Sequence, residues 1–173
     1  MIRYNLRRTA LAGLILALAA ACTPPAGGPL AVGRPVPEWQ GELLAGGAWH
    51  LGEPGTARLV NLWATWCPPC RAEMPFLQSL HEQYASRGLE VVGITSDGAS
   101  ARSSIDQFIA EAGVGFDIVL DPAGATLDLF GVFGLPATFL VDSDGSIRLI
   151  RRGPVGPEDL ELIETIEQLV SAP

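Results

Sequence analysis

Leu59-Val60-Asn61-Leu62-Trp63-Ala64-Thr65-Trp66-Cys67-Pro68-Pro69-Cys70-Arg71-Ala72-Glu73-Met74-Pro75 is the stretch that decides the fold. Residues 57–64 are mostly apolar and read as a buried strand. A helix is predicted from about Pro68 to Ser86. Its apolar residues Met74, Leu77, Leu80 and Tyr84 recur at three- and four-residue spacing, and Pro75 is expected to kink it. Between strand and helix sits a pair of cysteines two residues apart. Pro68 suits the first helical position, where no N–H partner is needed. Cys67 is therefore expected at the positive end of the helix, against unpaired N–H groups. Such a site lowers a thiol's pKa from about 8.5 into a range of roughly 3.5–7.5. The thiolate is the nucleophile, and Cys70 lies one turn on. The predicted cycle has two steps: Cys67 attacks a partner's disulfide, then Cys70 attacks Cys67 and releases the partner reduced.

Two plainer readings of the pair are weaker. A structural disulfide across one helical turn closes a tiny loop and stabilises little. A zinc site needs four ligands. The pair supplies two, and His50 and His81 have no ligand-like spacing. No metal and no cofactor is expected.

Outward from this junction the chain alternates. A hairpin is predicted over Glu42–Leu51 with Gly46-Gly47 as its turn. Strands follow at Leu89–Thr95, Phe116–Leu120, Ala137–Val141 and Ser146–Arg151, the last two joined at Ser143-Asp144-Gly145. Ile105, Phe108 and Ile109 mark a helix, and Thr126–Phe130 a helical turn. The last helix is expected to start at Pro157, with Glu158 and Asp159 at its positive end and Leu160, Ile163, Ile166 and Leu169 as its apolar stripe. This order implies an α/β fold with a central mixed β-sheet flanked by helices.

The N-terminus reads as an export signal. Arg3, Arg7 and Arg8 precede an apolar run from Ala10 to Ala21, too short for a comfortable membrane span. Ala19-Ala20-Ala21 before Cys22 resembles a lipobox, although Ala19 stands where leucine is usual; an ordinary signal peptidase could also accept these alanines. Of three cysteines, pairing Cys67 with Cys70 leaves Cys22 over. A lipid thioether accounts for it better than a free thiol in an oxidising compartment. Residues 1–21 are thus read as a signal, 22–37 as a Pro/Gly-rich tether and 38–173 as the folded domain. Cleavage would remove three arginines and no acid, moving the formal charge from −8 to −11. That charge argues against nucleic acid as a partner.

The stretch Trp63–Pro75 resembles the thioredoxin-like superfamily, and within it the membrane-tethered, extracytoplasmic thiol-disulfide oxidoreductases of the TlpA and ResA kind. A second motif agrees: Phe130-Gly131-Val132-Phe133-Gly134-Leu135-Pro136-Ala137-Thr138-Phe139-Leu140-Val141-Asp142, then Gly145. The resemblance implies a thioredoxin-like fold with an N-terminal β-hairpin and a central α/β insertion. It implies that Pro136 follows a cis peptide bond and faces the dithiol, and that the Leu135 backbone pairs with a client's extended chain. It makes Glu73 a buried acid assisting proton transfer, with a solvated surface glutamate as the alternative. Asn61 departs from thioredoxin, which has an aspartate there; an amide cannot take that proton, so the role falls to Glu73. Trp66, Pro68 and Pro69 would flank the client, while Trp63 belongs in the core.

The implied activity is reduction of disulfides in client proteins outside the cytoplasm, such as apocytochrome c or copper-site assembly proteins. A membrane electron donor would restore the dithiol. Two rivals share the fold. A peroxidase would set a proline and a threonine at fixed positions before its cysteine, but Leu62 stands where that proline would be. A copper-delivery protein would use a wider cysteine pair and a distal histidine, and no histidine lies beyond His81.

Overall fold

The computed structural model describes residues 30–171. The expected signal, Cys22 and the first part of the tether lie outside them. The elements are β1 (Trp39–Leu43), β2 (Ala48–Leu51), β3 (Ala57–Trp63), α1 (Pro68–Tyr84), β4 (Leu89–Thr95), α2 (Arg102–Ala112), β5 (Asp117–Leu120), α3 (Ala125–Phe130), β6 (Ala137–Val141), β7 (Ile147–Arg152) and α4 (Leu160–Ser171). They build one seven-stranded sheet in the order β2-β1-β5-β4-β3-β6-β7. Strands β3, β4 and β5 are mutually parallel, while β6 runs antiparallel to β3. This is the thioredoxin-like α/β architecture expected.

Period-two alternation assigns each strand residue to a face. On β3, Leu59 and Trp63 join a cluster with Met74 and Leu77 of α1, Phe108 of α2 and Ile166 of α4. Val60 and Leu62 join the opposite cluster with Phe130 of α3 and Trp49 of the hairpin. The crossovers β3-α1-β4 and β4-α2-β5 step in the same direction across the sheet. A constant right hand therefore puts both helices on one face. The insertion strand β5 also pairs antiparallel with β1, placing Glu42 opposite Leu120. It thereby joins the N-terminal hairpin to the parallel core.

Two expectations change. The tether does not run to residue 37. Gly33 N–H donates to Ile147 O at 2.7 Å, Val36 N–H donates to Gly145 O at 2.8 Å, and Pro35 bridges Ser146. Val36 is buried, so these residues cover the start of β7 and belong to the domain. Helix α1 keeps Pro75 in its interior, where the sequence reading put it. The last helix starts at Leu160, not Pro157. Asp159 caps it, accepting from Leu162 N–H at 3.1 Å, and Arg151 grips the same carboxylate at 2.7 Å. A cap in a firm ion pair outcompetes a proline's preference for the first helical position. The buried stripe is consequently Leu162 and Ile166, and Leu160 is 65% exposed.

Replacing Asp159 by alanine should lower unfolding free energy by about 0.5–2 kcal/mol, the usual range for a lost cap. Ile166→Ala should cost about 2–5 kcal/mol through a core cavity, whereas Leu160→Ala should stay within about 0.5 kcal/mol. Urea unfolding of the three variants checks this; a Leu160→Ala loss as large as that of Ile166→Ala would contradict the stripe described here.

Candidate active site

The parallel strands β3, β4 and β5 end on the same edge of the sheet, where β6 begins and β7 ends. Loops at the carboxyl ends of parallel strands are the usual place for a site in such sheets. Residues 64–67 connect β3 to α1 across this edge. Cys67 N–H donates to Ala64 O at 3.2 Å, which makes the connection a tight turn.

Cys67 is the N-cap of α1, with extended backbone angles, and Pro68 and Pro69 open the helix. A disulfide joins Cys67 to Cys70. Cys70 N–H points at the Cys67 sulfur at 3.3 Å, so one unpaired helical donor already faces the atom that would carry negative charge. Cys67 is 4% exposed and Cys70 is fully buried. Of the two residues, Cys67 alone keeps any exposure, and it is slight. Around it Trp66, Pro68 and Pro69 are exposed, Trp66 at 67%. Trp63 is fully buried, as expected.

Pro136 arrives from the neighbouring strand. The Leu135–Pro136 peptide bond is cis. Pro136 is buried and its carbonyl accepts from Gly153 N–H at 2.9 Å, while Ala137 pairs with Leu62 near the end of β3. Half-buried Leu135 thus lies at the same sheet edge as the dithiol.

Glu73 is 2% exposed, which removes the solvated-surface alternative. Its position three residues after Cys70 puts both on one face of α1. One carboxyl oxygen accepts from Asn61 Nδ2 at 2.8 Å and the other from Val155 N–H at 2.8 Å. Asn61 Nδ2 also donates to Thr138 Oγ1 at 3.0 Å. Burial pushes the Glu73 pKa from its ordinary 4.5 up to about 7, against the lowering effect of these two hydrogen bonds. An acid poised there can hold or release a proton at neutral pH. Asn61, read as unable to take the proton, acts here as a donor to Glu73.

Four participants escaped the sequence reading. Thr138 and the Val155 N–H complete the Glu73 network. Val155 contributes only backbone, which leaves no side-chain signal. Phe133 is fully exposed on the loop before Pro136, and an aromatic between Gly131 and Gly134 was the available hint. Asp97 is 4% exposed after β4. It accepts from Thr65 N–H at 2.8 Å, Thr65 Oγ1 at 2.7 Å and Thr95 Oγ1 at 2.6 Å. In sequence it looks like an ordinary turn acid before Gly98.

The AhpC/TSA family matches residues 32–150 of this chain. Thiol-disulfide oxidoreductase ResA of Oceanobacillus iheyensis is 36% identical over 107 residues, covering 62% of this chain and 55% of that protein. ResA of Geobacillus kaustophilus is 32% identical over 133 residues, covering 76% of this chain and 75% of its own length. Among solved structures, a Chlorobium tepidum protein assigned as thiol:disulfide interchange protein DsbE superposes with a TM-score of 0.73 at 28% identity, over 83% of this chain and 99% of that one.

Glu73 makes stability depend on pH in a definite direction. Its folded pKa is raised, so between about pH 4.5 and 7 the folded state holds a proton that the unfolded chain has lost. Stability should therefore fall as pH rises through this window and level off above it, by about 3 kcal/mol at roughly 1.4 kcal/mol per pKa unit. Urea unfolding between pH 4 and 9 should show this slope in the wild type and its absence in Glu73→Gln. Equal slopes would mean that the carboxyl titrates normally.

Proposed function

The chain belongs to the AhpC/TSA family, with relatives that are thiol-disulfide oxidoreductases, and from that premise we propose that it reduces disulfides of client proteins outside the cytoplasm. The observation carrying this reading is the Cys67–Cys70 disulfide at the start of α1, with Cys67 keeping slight exposure, Cys70 fully enclosed and Glu73 buried one turn beyond.

The cycle balances as follows. In the reduced protein the Cys67 thiolate attacks one sulfur of a client disulfide, forming a mixed disulfide and expelling the client's other sulfur as thiolate. The Glu73 carboxylate takes the Cys70 proton. The Cys70 thiolate then attacks the Cys67 sulfur, closes the internal disulfide and releases the client's second thiolate. Two electrons have passed to the client. Regeneration reverses the direction. A donor thiolate attacks Cys67, Cys70 leaves, and protonated Glu73 supplies its proton. A second donor thiolate then frees Cys67. An acid near neutrality serves both halves, because each half needs the opposite protonation state.

Trp66, Pro68 and Pro69 with Leu135 and Pro136 form the client-facing rim in this reading. The exposed aromatic ring and the backbone ahead of β6 would hold an extended client chain beside Cys67. The reductive direction is supported by the N-terminal sequence. A signal ending at Ala21, a lipid on Cys22 and a Pro/Gly-rich tether would hold the domain near a membrane electron donor, in surroundings where client cysteines oxidise. Apocytochrome c and copper-site assembly proteins are the clients that the family resemblance favours. Among the described residues no helix is long and apolar enough to cross a membrane.

Insulin reduction with dithiothreitol should be catalysed by the wild type and lost in Cys67→Ser, while Cys70→Ser should accumulate mixed disulfides that run as larger species on non-reducing gels. Peroxide consumption or copper uptake by the same sample, without insulin reduction, would favour the peroxidase or copper-delivery reading instead. Glu73→Gln should slow exchange by about 10²-fold, within the usual range for one acid–base group, and flatten the rate's dependence on pH around 7. In a bacterial host, Cys22→Ser should move the protein from the detergent phase to the aqueous phase; an unchanged partition would remove the lipid anchor.

A further inference from the structure

We propose that Asp97 is a positioning residue that holds Trp66 in place for client proteins. Two observations converge on it. Asp97 is almost fully buried on the loop after β4, an expensive place for a carboxyl unless its oxygens are satisfied. Two of the three donors to its carboxylate are not local. Thr65 N–H reaches one oxygen at 2.8 Å and Thr65 Oγ1 the other at 2.7 Å, across 32 residues of sequence. Only Thr95 Oγ1, at 2.6 Å, comes from its own strand end. An acid that merely shaped its own turn would not need the first two.

The consequence falls on the next residue. Ser96 N–H donates to Trp63 O at 3.0 Å, Asp97 grips Thr65 at backbone and side chain, and Cys67 N–H closes the turn on Ala64 O. Trp66 therefore stands between two anchored neighbours while its side chain is 67% exposed. A ring mostly in water has little packing to orient it, so its placement depends on the backbone that carries it. Holding it before the client arrives removes an ordering cost from binding. The sulfur is anchored separately, as the cap of α1. Loss of the clasp should therefore loosen Trp66 more than it disturbs the reacting atoms.

This rests on the reading of Trp66 as part of the client-facing rim. The test compares reduction of a protein disulfide, insulin, with reduction of a small aromatic disulfide that needs only the sulfur. Asp97→Ala should raise KM for the protein client by about tenfold to 10²-fold, up to the loss a small misplacement can produce, while the rate on the small disulfide falls far less. In a Trp66→Ala background the same substitution should add nothing. Thr65→Val, which removes one arm and keeps the backbone bond, should give a smaller shift in the same direction and serves if Asp97→Ala does not fold. Equal losses on both substrates, additive losses with Trp66→Ala, or no change in KM for Asp97→Ala and Thr65→Val would each overturn the proposal. Absence of exchange with either substrate in the wild type would instead defeat the oxidoreductase reading.

Discussion

The short passage from β3 to α1 governs this molecule. The strand ends at Trp63 and the helix begins at Pro68, so residues 64–67 must reverse from sheet to helix without slack. Trp63 is buried, so the strand side cannot slip. On the helix side, Cys67 must be the cap, because the two prolines after it can open a helix but cannot lie deeper within one without loss. The sulfur is thereby delivered to a helix start at the carboxyl edge of the sheet. Backbone donors and the end of the dipole meet there with no further device.

Glu73 is the electrostatic counterpart of that junction. Its carboxyl links α1 to β3 through Asn61 and to the segment after β7 through Val155. Burying a carboxyl is unfavourable when it is charged. Two donors are too few to restore its ordinary pKa, and the acid settles near neutrality. The fold accepts some instability at alkaline pH in return for a proton that can move at neutral pH. That exchange is typical of functional sites, where local rules are broken for chemistry.

Where sequence and structure part, competition between local and distant partners explains the difference. Pro157 is a good helix opener, but Asp159 has both a helical N–H and Arg151 to satisfy, and this moves the start to Leu160. Residues 33–36 have the composition of a linker. They nevertheless find unpaired backbone at the start of β7 and pair with it, since an uncovered sheet edge offers hydrogen bonds to any chain within reach. Neither partner is visible from the segment that responds to it.

The strands and the reactive pair were legible from the chain, because each rests on local patterns: apolar periodicity, proline at a helix start, and two cysteines one turn apart. Leu89–Thr95 and Ala137–Val141 appear with the bounds read from sequence. The burial of Glu73, its partnership with Asn61, Thr138 and Val155, the clasp of Asp97 on Thr65 and the full exposure of Phe133 were decided only in three dimensions. These depend on which strand ends share an edge, and on backbone groups that every residue carries alike. A side-chain alphabet can announce a nucleophile, but the desolvation that tunes its proton partner exists only once the sheet and helices have closed around it.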